Sequence, residues 1–258
     1  MQTVRVGLIA IACFSLQVQA DSQPPRIAII IDDLGYERRA GERAIKLPGP
    51  IAYAILPETP RATYLAETAH AGGKEVLLHL PLQAERDRNH IEPGSLLLDM
   101  SHRQFSNAFS GSFESIPHAI GVNSHRGSLL TRHPGHMAWL MEEIEKRGEL
   151  FFVDSYTTAS SVALSIAHEQ GVPALKRDVF LDPDTIPGTV EREFARLKKL
   201  ARQQGYAVGI AHPYPSTLEY LETALPTLEE DGYNLVRISE LIALTNRPQK
   251  TAVRASAE

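Results

Sequence analysis

Two adjacent carboxylates, Asp32 and Asp33, end the apolar run Ile-Ala-Ile-Ile-Ile. Side by side at the end of a buried strand they repel each other and lose hydration, so they require a cation or hydrogen bonds. A divalent metal held by one of them would meet that requirement and leave the other as a base. Two histidines stand in similar settings, His79 in Val-Leu-Leu-His-Leu-Pro and His125 in Gly-Val-Asn-Ser-His-Arg-Gly-Ser. Two imidazoles from neighbouring strand ends and one carboxylate give three ligands and an open position for water, the arrangement used by catalytic zinc. His212, in Gly-Ile-Ala-His-Pro-Tyr-Pro, is stiffened by Pro213 and Pro215. Its ring titrates near neutrality, which suits a general acid. Asp154, Arg177, Asp178 and Asn123 are expected around these groups, orienting the imidazoles and pairing with the base. The remaining histidines, including His70, His90, His102, His118, His133, His136 and His168, are expected on surface helices and loops.

The elements that must position these groups alternate along the chain. Short apolar, β-branched runs fall at 27–31, 51–56, 75–80, 119–122, 150–153, 174–176, 207–211 and 234–238. Amphipathic stretches lie between them at 61–71, 134–147, 160–170, 189–204 and 216–230, several closed by a glycine suited to a helix C-terminus. Continuous apolar strands alternating with helices predict a parallel sheet covered by helices. The fold expected is a distorted β/α barrel of seven to eight parallel strands, one domain over 26–245. The reactive residues follow the strands directly, which places them on the C-terminal face where barrel enzymes build their sites.

The ends of the chain have a different character. Arg5, the apolar residues 6–16 and Val18-Gln19-Ala20 form the pattern of a signal peptide over 1–20. Its apolar core is short for a membrane span. A buried N-terminal helix, or a lipoprotein anchored through Cys13, are the competing readings. Residues 21–25 are a short leader and 246–258 a polar tail. Cys13 is the one cysteine among 258 residues, so the chain after cleavage has no disulfide and any metal must rest on His, Asp or Glu. The net charge of −5 and the lack of a basic run argue against nucleic acid as a partner. Export to the periplasm or the exterior is expected, with no transmembrane segment in the mature chain.

At these residues the sequence resembles the divergent polysaccharide deacetylases, a branch of the superfamily that includes carbohydrate esterase family four. The blocks are Ile-Asp32-Asp33-Leu-Gly, Leu-Leu-His79-Leu-Pro-Leu, Gly-Val-Asn123-Ser-His125-Arg-Gly-Ser, Phe-Phe-Val-Asp154-Ser, Arg177-Asp178-Val-Phe-Leu-Asp182 and His212-Pro, between about Arg26 and Leu244. The resemblance implies a distorted barrel that hydrolyses N- or O-acetyl groups on a glycan. It makes Asp32 the base, Asp33 a metal ligand and His212 the acid. In the better-known esterases of the superfamily the metal motif is His-x-x-x-His; here His79 matches the first position, Gln83 occupies the second, and His125 is the proposed substitute. Arg177 is the candidate for the family's arginine. The expected activity is therefore deacetylation of an envelope or extracellular polysaccharide with one divalent ion, zinc. A glycan-binding or envelope-interaction protein that has lost its chemistry is the first alternative, favoured by Gln83. Metal-dependent hydrolysis of another ester is the second, with Arg126 and Arg177 as the clamp that a phosphoester would need.

Overall fold

The computed structural model describes residues 23–86 and 91–246. The signal peptide expected over 1–20, Cys13, His90 and the tail beyond Asn246 lie outside the described residues. Among the described residues nine parallel strands form one sheet: β1 (Arg26–Leu34), β2 (Ala52–Ile55), β3 (Glu75–Leu82), β4 (Ala119–Arg126), β5 (Phe151–Asp154), β6 (Ala174–Lys176), β7 (Val179–Phe180), β8 (Tyr206–Ala211) and β9 (Asn234–Leu235). Eight of them curl in the order β6-β5-β4-β3-β2-β1-β8-β7, and β9 pairs with the first two residues of β1. β6 and β7 do not pair, so the barrel stays open between them. The chain crosses that gap at Arg177-Asp178, where the Arg177 amide donates to Asp154 O and the Asp178 amide to Val208 O.

Among the described residues eight helices cover the strands: α1 (Arg38–Ile45), α2 (Ala62–Ala71), α3 (His102–Glu114), α4 (Pro134–Glu145), α5 (Ala163–Glu169), α6 (Thr189–Gln204), α7 (Pro215–Ala224) and α8 (Ile238–Thr245). Strand side chains alternate between two faces, and the core divides accordingly. Ile27, Ile29, Ile31, Leu78, Leu80 and Phe152 pack outward against the helices. Ala28, Ile30, Leu77, Val153, Val208 and Ile210 fill the interior, and Ile238, Leu241 and Ile242 of α8 join them from below. Gly121 belongs to this interior because a Cβ there would strike the ring of Phe151.

The described elements differ from the sequence expectations in several places. The strand expected at 119–122 runs on to Arg126, which puts His125 inside it. The strand expected over 234–238 stops at Leu235, and Ile238 opens α8 instead. The helix expected over 216–230 ends at Ala224 and continues as a tight turn, Leu225–Thr227, in which Pro226 brings no amide hydrogen. Helices α1, α3 and α8 had no counterpart in the apolar pattern, because α1 is largely charged and α3 is rich in serine. No helix among the described residues is long and apolar enough to cross a membrane.

Candidate metal centre and proton-transfer groups

The interior face ends in polar residues at its C-terminal rim. Continuing the alternation upward, Ile30 is followed by Asp32, Leu77 by His79, Gly121 by Asn123 and His125, and Ile210 by His212. Asp33 should then point away from Asp32, since neighbours in a strand face opposite sides. A break in the strand prevents this. The pairing of β1 with β2 shifts register between Ile31 and Leu34, and Asp33 takes a left-handed φ of 60°. An aspartate tolerates that conformation better than most side chains. Gly35 follows at φ 135°, with Thr59 so close that a Cβ has no room. The bulge turns both carboxylates towards one imidazole: His79 Nε2 lies 3.0 Å from Asp33 Oδ1 and 3.6 Å from Asp32 Oδ2.

The hydrogen bonds fix the proton on His79. Asn123 Nδ2 donates to Asp32 Oδ1 at 2.7 Å, so Asn123 Oδ1 faces His79 Nδ1 at 2.9 Å and can only accept. In its neutral form His79 therefore carries hydrogen on Nδ1 and turns the Nε2 lone pair towards Asp33. His125 Nδ1 completes a triangle, 3.0 Å from both Asp33 Oδ1 and His79 Nε2. Its Nε2 is 3.0 Å from Glu92 Oε2. Asp33, His79 and His125 are the group able to hold an ion among the described residues, with donor atoms within 4.8 Å of one another. These donors fit a small divalent cation. Ligand distances of about 2.0–2.2 Å require donor atoms roughly 3 Å apart, and two imidazoles with one carboxylate suit zinc-like ions.

The electrostatics follow from burial and pairing. Burial alone would raise Asp33, but hydrogen bonds and charge from His125 and His79 outweigh it and hold the carboxyl well below the usual range. Asp32, only 2% exposed, is raised by burial and by the charge of Asp33, against the pull of His79, His212 and Asn123. Burial disfavours a charged His125, yet its bonds to Asp33 and Glu92 lift it to about 9. His212 is raised as well. Burial acts against this, but the hydrogen bond and charge of Asp182, with Asp32 and Asp33 beyond, prevail. His212 Nδ1 donates to Asp182 Oδ1 at 2.8 Å, while Asp182 Oδ2 accepts the His212 amide and the Thr217 hydroxyl. That leaves His212 Nε2 facing the site, 3.8 Å from Asp33 Oδ2.

The other residues expected here are placed elsewhere. Asp154 faces away from the imidazoles and binds the Tyr156 amide and the Ser161 hydroxyl. Asp178 accepts from the Val208 amide and from Gln204, sealing the open edge of the barrel. Arg177 donates to Ser155 O and Tyr156 O and lies 3.6 Å over the Phe180 ring. The structure thus brings together Asp32, Asp33, His79, Asn123, His125 and His212, and leaves Asp154 and Asp178 outside the contact network. His133 and His136 are half-buried rather than surface residues, and His136 bonds to Leu98 O. Two carboxylates carry roles here that the sequence alone does not assign. Asp182 follows the short strand β7, and its place after Val-Phe-Leu repeats the strand-end pattern of the other site residues. Glu92 lies in a long connection where no periodicity marks it.

With this geometry the chain can be assigned to a class and a family. An open parallel β/α barrel with a two-histidine, one-aspartate cluster at its C-terminal rim is the fold of the polysaccharide deacetylases. The chain belongs to the divergent polysaccharide deacetylase family, whose model matches residues 29–242. It is 34% identical over 232 residues, 88% of this chain and 72% of the relative, to the uncharacterized protein YibQ of Escherichia coli K12. An uncharacterized protein from Agrobacterium tumefaciens C58 shares the fold at a TM-score of 0.81 and 23% identity, covering 86% of this chain and 91% of that one. A CE4 family pseudoenzyme from Bacillus anthracis shares it at 0.51 and 12% identity, over 86% of this chain and 66% of that one.

Proposed function

We propose that this protein is an exported, metal-dependent hydrolase that removes acetyl groups from an envelope or extracellular polysaccharide. One observation carries the reading: Asp33 Oδ1, His79 Nε2 and His125 Nδ1 converge pairwise at 3.0 Å, three donor atoms spaced to hold one small cation. Asp33, His79 and His125 would hold that ion, and zinc is the species their chemistry favours. When bound, such an ion lowers the pKa of water and polarises a carbonyl.

The remaining work falls to this chain's own groups. Asp32, raised by burial, accepts a proton as water attacks the acetyl carbonyl. Asn123 bridges Asp32 and His79 and keeps both in place. His212, held by Asp182 through Nδ1, delivers the proton on Nε2 to the departing nitrogen or oxygen as its bond to the acyl carbon breaks. Acetate and a free amine or hydroxyl result. An amide nitrogen is too basic to leave without such a donor. The raised pKa of His212 favours the protonated form that a donor needs.

Purified protein screened for acetate release from acetylated glycans tests the proposal. The expected result is about one divalent ion per chain, release that stops on metal removal, and loss of both ion and release in His79→Ala. Asp32→Asn should lose release while keeping the ion and the fold. The second reading, a glycan-binding protein without chemistry, is favoured by Gln83 at the family's second metal histidine, and the Bacillus anthracis relative is itself called a pseudoenzyme. Glycan binding without acetate release from any substrate, in metal-loaded protein, would decide for that second reading.

A further inference from the structure

We propose that Glu92 is the positioning residue of the metal centre, making His125 a competent ligand in place of the second histidine that the better-known esterases carry where this chain has Gln83. The inference rests on the metal reading above and adds the device that makes it work. A histidine that ligates through one ring nitrogen needs a fixed acceptor on the other, or the ring turns away. Each imidazole at the rim has one. His79 has Asn123 and His212 has Asp182, both anchored on or next to strands. His125 has Glu92, whose two carboxylate oxygens lie 3.0 and 3.3 Å from Nε2. This bond points Nδ1 at Asp33 and His79 and leaves the ring one orientation.

Glu92 differs from the other two partners because it comes from the long connection between β3 and α3. That connection is fastened at Gln83. The Gln83 amide donates to Leu96 O at 3.0 Å, and the Leu96 amide donates to Pro81 O at 2.9 Å. Gln83 Oε1 accepts the Leu98 amide at 2.8 Å, and Leu96 is fully buried. Ser95 then closes a turn on Glu92: its hydroxyl accepts the Glu92 amide and its amide donates to Glu92 O. Arg126 adds a guanidinium 3.7 Å from Glu92 Oε1. So the glutamine at the position of the lost ligand keeps a metal-site role at one remove. It holds the loop that holds the carboxylate that orients His125.

Zinc affinity, measured by competition with a chromogenic chelator, tests this in full-length wild type, Glu92→Gln, Gln83→Ala and the double variant. Glu92→Gln keeps the shape and removes the charge. It should weaken zinc binding about 10–100-fold while the metal-free protein keeps its far-ultraviolet circular dichroism and the absorption spectrum of cobalt-loaded protein changes. Gln83→Ala should weaken it in the same direction, and the double variant should be no worse than Glu92→Gln alone, because both act through one contact. Glu92→Gln that binds zinc as tightly as wild type overturns the proposal. A loss of affinity that leaves the cobalt spectrum unchanged overturns it too, since the ligand set is then undisturbed. Wild type that binds zinc with this dependence on Glu92 but releases no acetate would sink the activity and leave the positioning role standing. Wild type that binds no zinc removes both.

Discussion

Residue by residue, the site is ordered by what each second nitrogen or oxygen is bound to. Asn123 fixes the tautomer of His79, and Asp182 leaves His212 with its Nε2 proton facing the cluster. This makes separable demands on His212. If it protonates the leaving group, it matters when that group is poor and little when it is good. His212→Ala should therefore cost on the order of 10² to 10⁴ in turnover on an N-acetyl substrate. On an activated aryl acetate, whose phenolate departs unaided, the loss should be far smaller. Metal content should be unchanged, since His212 lies outside the three-donor triangle. Asp182→Asn should show the same bias in weaker form, because an amide holds the ring but supports its charge less. Equal losses on both substrates for His212→Ala would exclude the acid role. Reading both rates and the metal content of one preparation is enough.

Among the elements, the bulge at the end of β1 does most to create the site, because it sends adjacent carboxylates to one imidazole. Its left-handed residue gives a test in which backbone and ligand effects part. Asn and Ala at position 33 both lose the carboxylate, but Asn visits left-handed φ readily and Ala does not, at a cost of about 1 kcal/mol. Asp33→Asn and Asp33→Ala should bind metal equally poorly, while Asp33→Ala unfolds at lower denaturant concentration. Equal stability of the two variants would mean that the turn relaxes without cost.

The strands that carry the site were legible for a simple reason: each is a buried apolar run ending in a polar residue, as at Ile31 to Asp32 and Leu78 to His79. The barrel followed from their alternation with helices. Helix α3 was missed although Ser101 and Gln104 form a capping signature at its start, the Ser101 amide donating to Gln104 Oε1. Its apolar stripe is thin, and the buried Phe105 and Phe109 are most of it. Asp154 and Asp178 were misplaced for the converse reason. Both stand at strand ends, but Asp154 has the outward parity and the Asp178 carboxylate turns to the Val208 amide and Gln204. Position at the rim says little unless the side of the strand is also counted. Glu92 could not be found by period at all, since its partner across the site is set by tertiary loop anchoring.

Over the whole molecule, the candidate metal site ties β1, β3, β4 and the loop bearing Glu92 into one proton-linked unit. Without an ion, the folded state answers the clustered carboxylates with a proton on His125, whose pKa rises from 6.5 to about 9. A folded-state pKa above the unfolded value means that the folded chain binds more protons between them. The stability so gained is complete below about pH 6.5 and is lost as pH rises through about 9. An ion held by His125 would take the place of that proton on Nδ1, so its binding would release it. Two consequences run in opposite directions. Metal-free protein should lose stability between pH 7 and pH 9, while metal affinity, corrected for protonation of the competing chelator, should rise about tenfold per pH unit over the same interval and then level. The stabilisation conferred by a fixed free concentration of zinc should grow in step, because it follows the logarithm of that concentration over the dissociation constant. Melting temperatures of metal-free and zinc-buffered protein at pH 6.5, 7.5 and 8.5 measure both. A gap between them that stays constant across this range would mean that no proton is displaced, and that His125 is not a ligand.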